Sequence, residues 1–154
     1  MRGGVAGQSV MSVRDIMTTP VHTIDMDDSI LSAKRLFDRK RFHHAVVLAQ
    51  GRVHGAVSDR DILKTISPFV GKIMERTQDL GTLKRRIHQV MSRAPVTIGP
   101  DEPVGAAADK MLCERVSCLP VVDADGSLVG IVTTRDVVKW AAGNAWVEYH
   151  PREP

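Results

Sequence analysis

Gly55-Ala-Val-Ser58-Asp-Arg60-Asp61 returns 75 residues later as Gly130-Ile-Val-Thr133-Thr-Arg135-Asp136. Each copy leaves an apolar, strand-like run and enters a helix start, and each sets a hydroxyl, a guanidinium and a carboxylate close together. The rest of the chain repeats with these strings. At an offset of 74, Met17 meets Met91, Thr23 and Ile24 meet Thr97 and Ile98, Ala33 meets Ala107, and Arg41 meets Arg115. Past one inserted residue at Asp123-Ala-Asp125-Gly126 the offset is 75, and Gly51, Lys64 and both strings fall into step. A hairpin tip absorbs such an insertion at least cost.

Around the strings the pattern predicts β-α-β-β-α in each half. Val21 to Ile24 reads as a strand, and Asp28-Ser29 supplies cap chemistry for a helix with Ile30, Ala33, Leu36 and Phe37 on one face. Ala45 to Ala49 and Val53 to Val57 form a hairpin, and Ser58 begins the next helix. The second half repeats the order, with Pro120 expected on an edge because it cannot donate to a ladder. The expected class is α+β: tandem repeats packed as an intramolecular pair with pseudo-two-fold symmetry. A flexible N-terminus covers 1–11, the first repeat 12–66, a connector with a helix 67–85, the second repeat 86–142, and an aromatic tail 143–154. Leu80, Leu83, Ile87, Val90 and Met91 are expected along one helical face that shows Lys84, Arg85 and Arg86 to solvent.

Each repeat is too short to bury much surface alone, so the halves of this 154-residue, 43% hydrophobic chain are expected to share a core. A formal charge of +3, from 21 basic and 18 acidic residues, is too mild to indicate nucleic acid. No apolar run approaches a membrane span or a signal peptide, and two cysteines make no disulfide framework; a soluble, cytoplasmic protein with reduced thiols is expected.

The strings suit a ribose. Its two adjacent hydroxyls present two donors in one direction, and a carboxylate such as Asp61 or Asp136 can accept both. Ser58 or Thr133 can bond a phosphate or ribose oxygen, Arg60 or Arg135 offers a fork for phosphate, and the helix start adds positive potential. Gly55 and Gly130 allow close approach of a backbone or ligand. The same Ser-x-x-Asp and Thr-x-x-Asp spacing also describes a helix capping box, which asks only for the hydroxyl and the acid. Capping accounts for neither the Arg between them nor the Gly three residues before.

Over residues 13 to 141 the chain resembles a tandem pair of cystathionine β-synthase domains, the CBS or Bateman module. The resemblance rests on Val13-Arg-Asp-Ile-Met17 and Ile87-His-Gln-Val-Met91, the Thr-Ile strands, Leu119-Pro-Val-Val-Asp123 and both strings, in order and twice. It implies a regulatory module that binds an adenosyl ligand (AMP, ADP, ATP, NAD or S-adenosylmethionine) between the repeats. Carried over by position, Ser58, Arg60 and Asp61 join Val96, Thr97, Val116 and Ser117, while Thr133, Arg135 and Asp136 join His22, Thr23, Phe42 and His43. The resemblance also implies a disk-like homodimer. The first repeat departs from it at Ala45-Val46-Val47, preceded by His43-His44, so the two sites are expected to differ.

His43, His44, Cys113 and Cys118 lack zinc-ligand spacing, since His44 and Cys118 are repeat mates in different halves. Asp25-Met-Asp27-Asp28 lacks the glycine and glutamate of a calcium loop. Lys34, Arg35, Arg39, Lys40 and Arg41 read as a solvated face. No nucleophile stands beside a base and no phosphate-cradling loop occurs, so a noncatalytic chain without metal or cofactor is expected. The rival expectation is a structural module that docks on an enzyme or transporter, with vestigial clefts and an unidentified protein partner. Nucleic acid ranks last.

Overall fold

The computed structural model describes residues 11–40 and 42–145. The expected flexible lead-in apart from Met11, the aromatic tail beyond Ala145 with Trp146 and Tyr149, and Arg41 of the basic face lie outside the described residues. A short helix α1 (Val13–Ile16) opens the described chain. The first half then runs β1 (Thr23–Asp25), α2 (Ile30–Lys40), β2 (His44–Ala49), β3 (Arg52–Ser58) and α3 (Asp59–Thr65). After α4 (Thr77–Leu83), a 3-10 turn (Ile87–Gln89) and β4 (Ser92–Arg93), the second half runs α5 (Val104–Glu114), β5 (Cys118–Val122), β6 (Leu128–Thr133) and α6 (Thr134–Ala145).

Local chemistry accounts for these bounds. The Ser29 hydroxyl accepts the Ser32 amide at 3.2 Å and starts α2, which buries Ile30, Ala33 and Phe37 at helical spacing. Its repeat counterpart α5 buries Val104, Ala107 and Met111 on the same plan and stops at Arg115, whose φ is 55°. Gln50 and Gly51 both take positive φ (50° and 76°), which fits the two-residue turn joining β2 to β3.

The first sheet is ordered β1-β2-β3-β4, with β1 parallel to β2 and the other pairs antiparallel. The second keeps that plan in reduced form: β5 and β6 pair, Ile98 bridges Val121 on one side, and Thr18 bridges Ile131 on the other. One residue type explains part of the reduction. In the first half the Val46 amide donates to the His22 carbonyl (3.2 Å), but its repeat mate Pro120 has no N–H to give Val96. The outer strand shrinks to the Ile98 bridge, held by Ile98 N–H to the Pro120 carbonyl (3.1 Å) and Val122 N–H to the Ile98 carbonyl (3.0 Å).

The halves do not share the one core expected of such short repeats: each has its own, and exchange of a segment, in place of merging, supplies the missing apolar surface. Val13, Ile16 and Met17, which precede the first half, pack with Ile98, Met111, Leu119 and Val132 of the second. Ile87, Val90 and Met91 pack with Ile30, Phe37, Val47 and Ile62 of the first. Main-chain bonds follow suit: Val13 N–H donates to the Glu102 carbonyl, and Ile87 N–H to the Asp28 carbonyl. Each half therefore depends on a segment outside its own β-α-β-β-α unit.

This exchange overturns the continuous connector helix. The apolar spacing from Leu80 to Met91 is shared between α4 and the 3-10 turn, with Arg86 extended between them (ψ 152°). The Arg85 carbonyl accepts the Ile30 amide, and the Ile87 and His88 amides donate to the Asp28 and Met26 carbonyls, so the bonds a continuous helix would need there are spent on the first half. Helix α4 buries no residue and Leu80 is exposed, contrary to the expected packed face. Ser67 ties it down instead: its amide donates to Thr82 Oγ1 (3.1 Å) and its hydroxyl to Asp79 Oδ1 (2.6 Å).

Candidate functional site

Two clefts open where the halves face each other. Both sit at strand-to-helix corners that main-chain bonds fix alike: Asp59 N–H donates to the His43 carbonyl (3.1 Å), and its repeat mate Thr134 N–H to the Ser117 carbonyl (3.0 Å).

The larger cleft has a volume of about 670 Å³, within the range usual for small-molecule sites. The second half supplies Ser117, Ile131, Thr133, Thr134, Arg135, Asp136 and Lys139, and the first half supplies Pro20, His22, Phe42, His43, His44, Ser58, Asp59 and Arg60. Thr18, from the exchanged segment, completes the lining. His22 stacks on Phe42 with ring centroids 4.3 Å apart and planes 16° from parallel, and Phe42 leans on Phe37 at 4.8 Å. This makes one wall flat and aromatic, a surface suited to a planar ring. His43 Nδ1 lies 2.7 Å from Asp59 Oδ2.

The smaller cleft encloses about 240 Å³, just short of that range, between His44, Ala56, Val57, Ser58 and Asp61 of the first half and Pro95, Val96, Arg115, Val116, Ser117 and Cys118 of the second, with Ser92 of β4. Burial, with the Asp61 charge second, pushes the Cys118 thiol up to about 11. Burial also lowers the His44 pKa from its ordinary value, against the pull of Asp59. His44, Ser58 and Ser117 stand on the wall common to both clefts.

Both acidic side chains do cap. Asp61 Oδ2 accepts from the Ser58 amide (3.0 Å) and hydroxyl (2.6 Å), and Asp136 Oδ2 accepts from the Thr133 amide (2.9 Å) and hydroxyl (2.6 Å). The Ser and Thr hydroxyl protons are therefore committed locally. One oxygen of each carboxylate, Oδ1, has no protein partner among the described residues, and the space beside each acid is open. Capping and a free acceptor coexist because a carboxylate has two oxygens.

The expected groupings are assembled with three exceptions. Thr133, Arg135 and Asp136 do line one cleft with His22, Phe42 and His43, and Ser58 and Asp61 line the other with Val96, Val116 and Ser117. Arg60, expected beside Asp61, lines the larger cleft instead. Thr23 and Thr97 line neither, and the Thr97 carbonyl accepts Lys110 Nζ (3.2 Å). Gly55 and Gly130 have a different purpose from ligand approach. A Cβ on Gly55 would meet Met91 Sδ and the Ser92 carbonyl, both at 2.7 Å, and one on Gly130 would strike the Met17 side chain. The glycines admit the exchanged methionines. Lys139, Thr18, Arg115 and Cys118 were absent from the expected groupings. Lys139 carried a signal, since it stands three residues after Asp136 on the same helix and so on the same side.

The CBS domain model matches residues 13–68 and 87–143. A CBS domain-containing protein of Dictyostelium discoideum is 34% identical over 131 residues, covering 82% of this chain and 88% of that protein. The homoserine O-acetyltransferase of Methanococcoides burtonii is 35% identical over 127 residues, but the chain spans only 23% of its length. Among solved structures, a CBS domain pair in complex with 5′-methylthioadenosine and S-adenosyl-L-methionine has TM-score 0.73 and 29% identity, covering 88% of this chain and 98% of that one. CBSX2 in complex with AMP has TM-score 0.69 and 29% identity, covering 86% and 97%. With two matched domains, two like sheets and clefts between them, the chain belongs to the CBS-domain family as a tandem pair.

Proposed function

We propose that this protein is a noncatalytic regulatory module that binds an adenosine-containing ligand between its halves. The observation that carries the reading is the open cleft lined both by Asp136, a carboxylate with an uncommitted oxygen, and by the stacked His22–Phe42 pair of the opposite half. A ribose diol would donate to Asp136 Oδ1, and the adenine ring would lie on the aromatic wall. Relatives of the same architecture bind 5′-methylthioadenosine, S-adenosylmethionine and AMP, which supports the ligand class.

A homodimer fits the surface: Leu63 on α3 and its repeat mate Val138 on α6 are 59% and 60% exposed, and Leu112 on α5 is 76% exposed. An interface between two copies would cover these side chains. A cytoplasmic location suits the reduced thiols, and among the described residues no helix is long and apolar enough to cross a membrane. Docking on an enzyme is the second reading, favoured by the acetyltransferases in which a region like this chain is a quarter of the length.

Thermal shift with AMP, ADP, ATP, NAD and S-adenosylmethionine tests the ligand reading. A ligand at 100 times its dissociation constant adds about 2.7 kcal/mol, which for a domain of this size raises Tm by about 5–10 °C. Asp136→Ala should remove the larger cleft's share of the response while costing the apo protein only about 1 kcal/mol of capping. No shift with any of the five ligands would reject the reading.

A further inference from the structure

The repeat is symmetric in sequence, but its charge is not symmetric in space. Arg135 stays in the cleft of its own Asp136, while Arg60 turns away from Asp61 and lines that same larger cleft. Lys139 joins them, so three cations meet two carboxylates there. One of the two, Asp59, is already bonded to His43 and to the Arg60 amide (2.8 Å), and the other, Asp136, is the candidate ribose acceptor. Neither guanidinium has an ion-pair partner among the described residues, and both side chains reach solvent. The smaller cleft holds one cation, Arg115, against Asp61, and its second-half wall includes Pro95, Val96 and Val116.

We infer that the larger cleft takes an adenosyl ligand carrying two or more phosphates, and that the smaller takes an adenosyl ligand with one phosphate or none. This rests on the adenosyl reading above and assigns a charge class to each cleft. The volumes run the same way, about 670 Å³ in the larger cleft against about 240 Å³ in the smaller. With the ribose on Asp136, the chain runs across the boundary between the halves toward Arg60, past Arg135 and Lys139. Guanidinium forks pair with phosphate oxygens two at a time, and a polyphosphate has enough oxygens for both. A ligand without those oxygens would leave Arg60 idle. The smaller cleft, with charges in balance and a neutral thiol, gains nothing from a second phosphate and would have to desolvate it.

Calorimetric titration of the whole protein with adenosine, AMP, ADP and ATP tests this, on wild type, Arg60→Gln, Lys139→Gln, Asp61→Ala and Asp136→Ala. Circular dichroism melts first confirm that each variant folds. Wild type should bind ATP at least about tenfold more tightly than AMP at one site, a preference of the size one charge-assisted contact gives. Arg60→Gln and Lys139→Gln should each collapse that preference by weakening ATP far more than adenosine. Asp136→Ala should remove the ATP-preferring site, and Asp61→Ala should leave it. Equal affinities for AMP and ATP, or a preference that survives Arg60→Gln or follows Asp61, would overturn the charge assignment and leave adenosyl binding standing. Failure of adenosine and all three nucleotides to bind would overturn both.

Discussion

His44 Nε2 lies 2.9 Å from Ser117 Oγ, a hydrogen bond that crosses from one half to the other on the wall both clefts share. Burial favours the neutral imidazole, with the Asp59 carboxylate opposing and the His43 ring adding to the effect. The folded pKa lies below the unfolded value of 6.5, so the unfolded chain binds the proton more readily. This site therefore costs stability as pH falls below 6.5, and the cost levels off once pH passes the lowered folded value. Urea melts at about pH 5 and about pH 7.5 should show a smaller acid loss in His44→Gln than in wild type. An unchanged difference would mean that His44 binds its proton as readily in the folded protein as in the unfolded chain.

The exchanged segments predict stability effects that cross the repeat boundary. Ile87 is fully buried in the core of the first half, so Ile87→Ala should cost about 2–5 kcal/mol. Hydrogen exchange should quicken first in β2 and β3, which precede Ile87 by about 30 to 40 residues, rather than in β5 and β6. Loss confined to the second half would contradict the exchange.

Gly130→Ala and Gly55→Ala should both destabilise by overpacking, by about 1–3 kcal/mol, yet they should differ in rescue. The atoms nearest a Cβ at 130 all belong to the Met17 side chain, so adding Met17→Ala should recover part of that overpacking loss. At 55 the Ser92 carbonyl is also in the way, and Met91→Ala should recover little. Equal rescue in a double-mutant cycle would count against this account of the glycines.

Cys118, with its thiol pushed up to about 11, is ionised to only about one part in a thousand at pH 8. Exposed Cys113 should take up iodoacetamide first, and peptide mapping after brief alkylation should find it modified while Cys118 is intact. Labelling of both at one rate would show the smaller cleft to be wetter than described.

Local patterns were legible and reciprocal ones were not. Ile30, Ala33 and Phe37 announce α2 because a helix buries residues at its own period, and the Ser58-x-x-Asp61 box declares a corner within four residues. Leu80, Leu83 and Ile87 kept the same period across a break, because spacing cannot tell one helix from two elements in phase. Val13 and Met17 showed an apolar face, but nothing in that face says which half receives it. The cleft that Arg60 joins is hidden for the same reason. A long exposed side chain at a helix start settles according to what the opposite half offers, and that surface exists only after the halves meet.

A fragment ending within the connector would keep β1, β2 and β3 but lose β4, Ile87 and Met91. It would be left with a bare sheet margin and a missing wall. Two such fragments could make good the deficit only by lending α1-like segments to each other, as in a handshake. The halves of this protein are thus better described as mutual scaffolds than as beads on a string, and neither can be grafted elsewhere without its neighbour's arm.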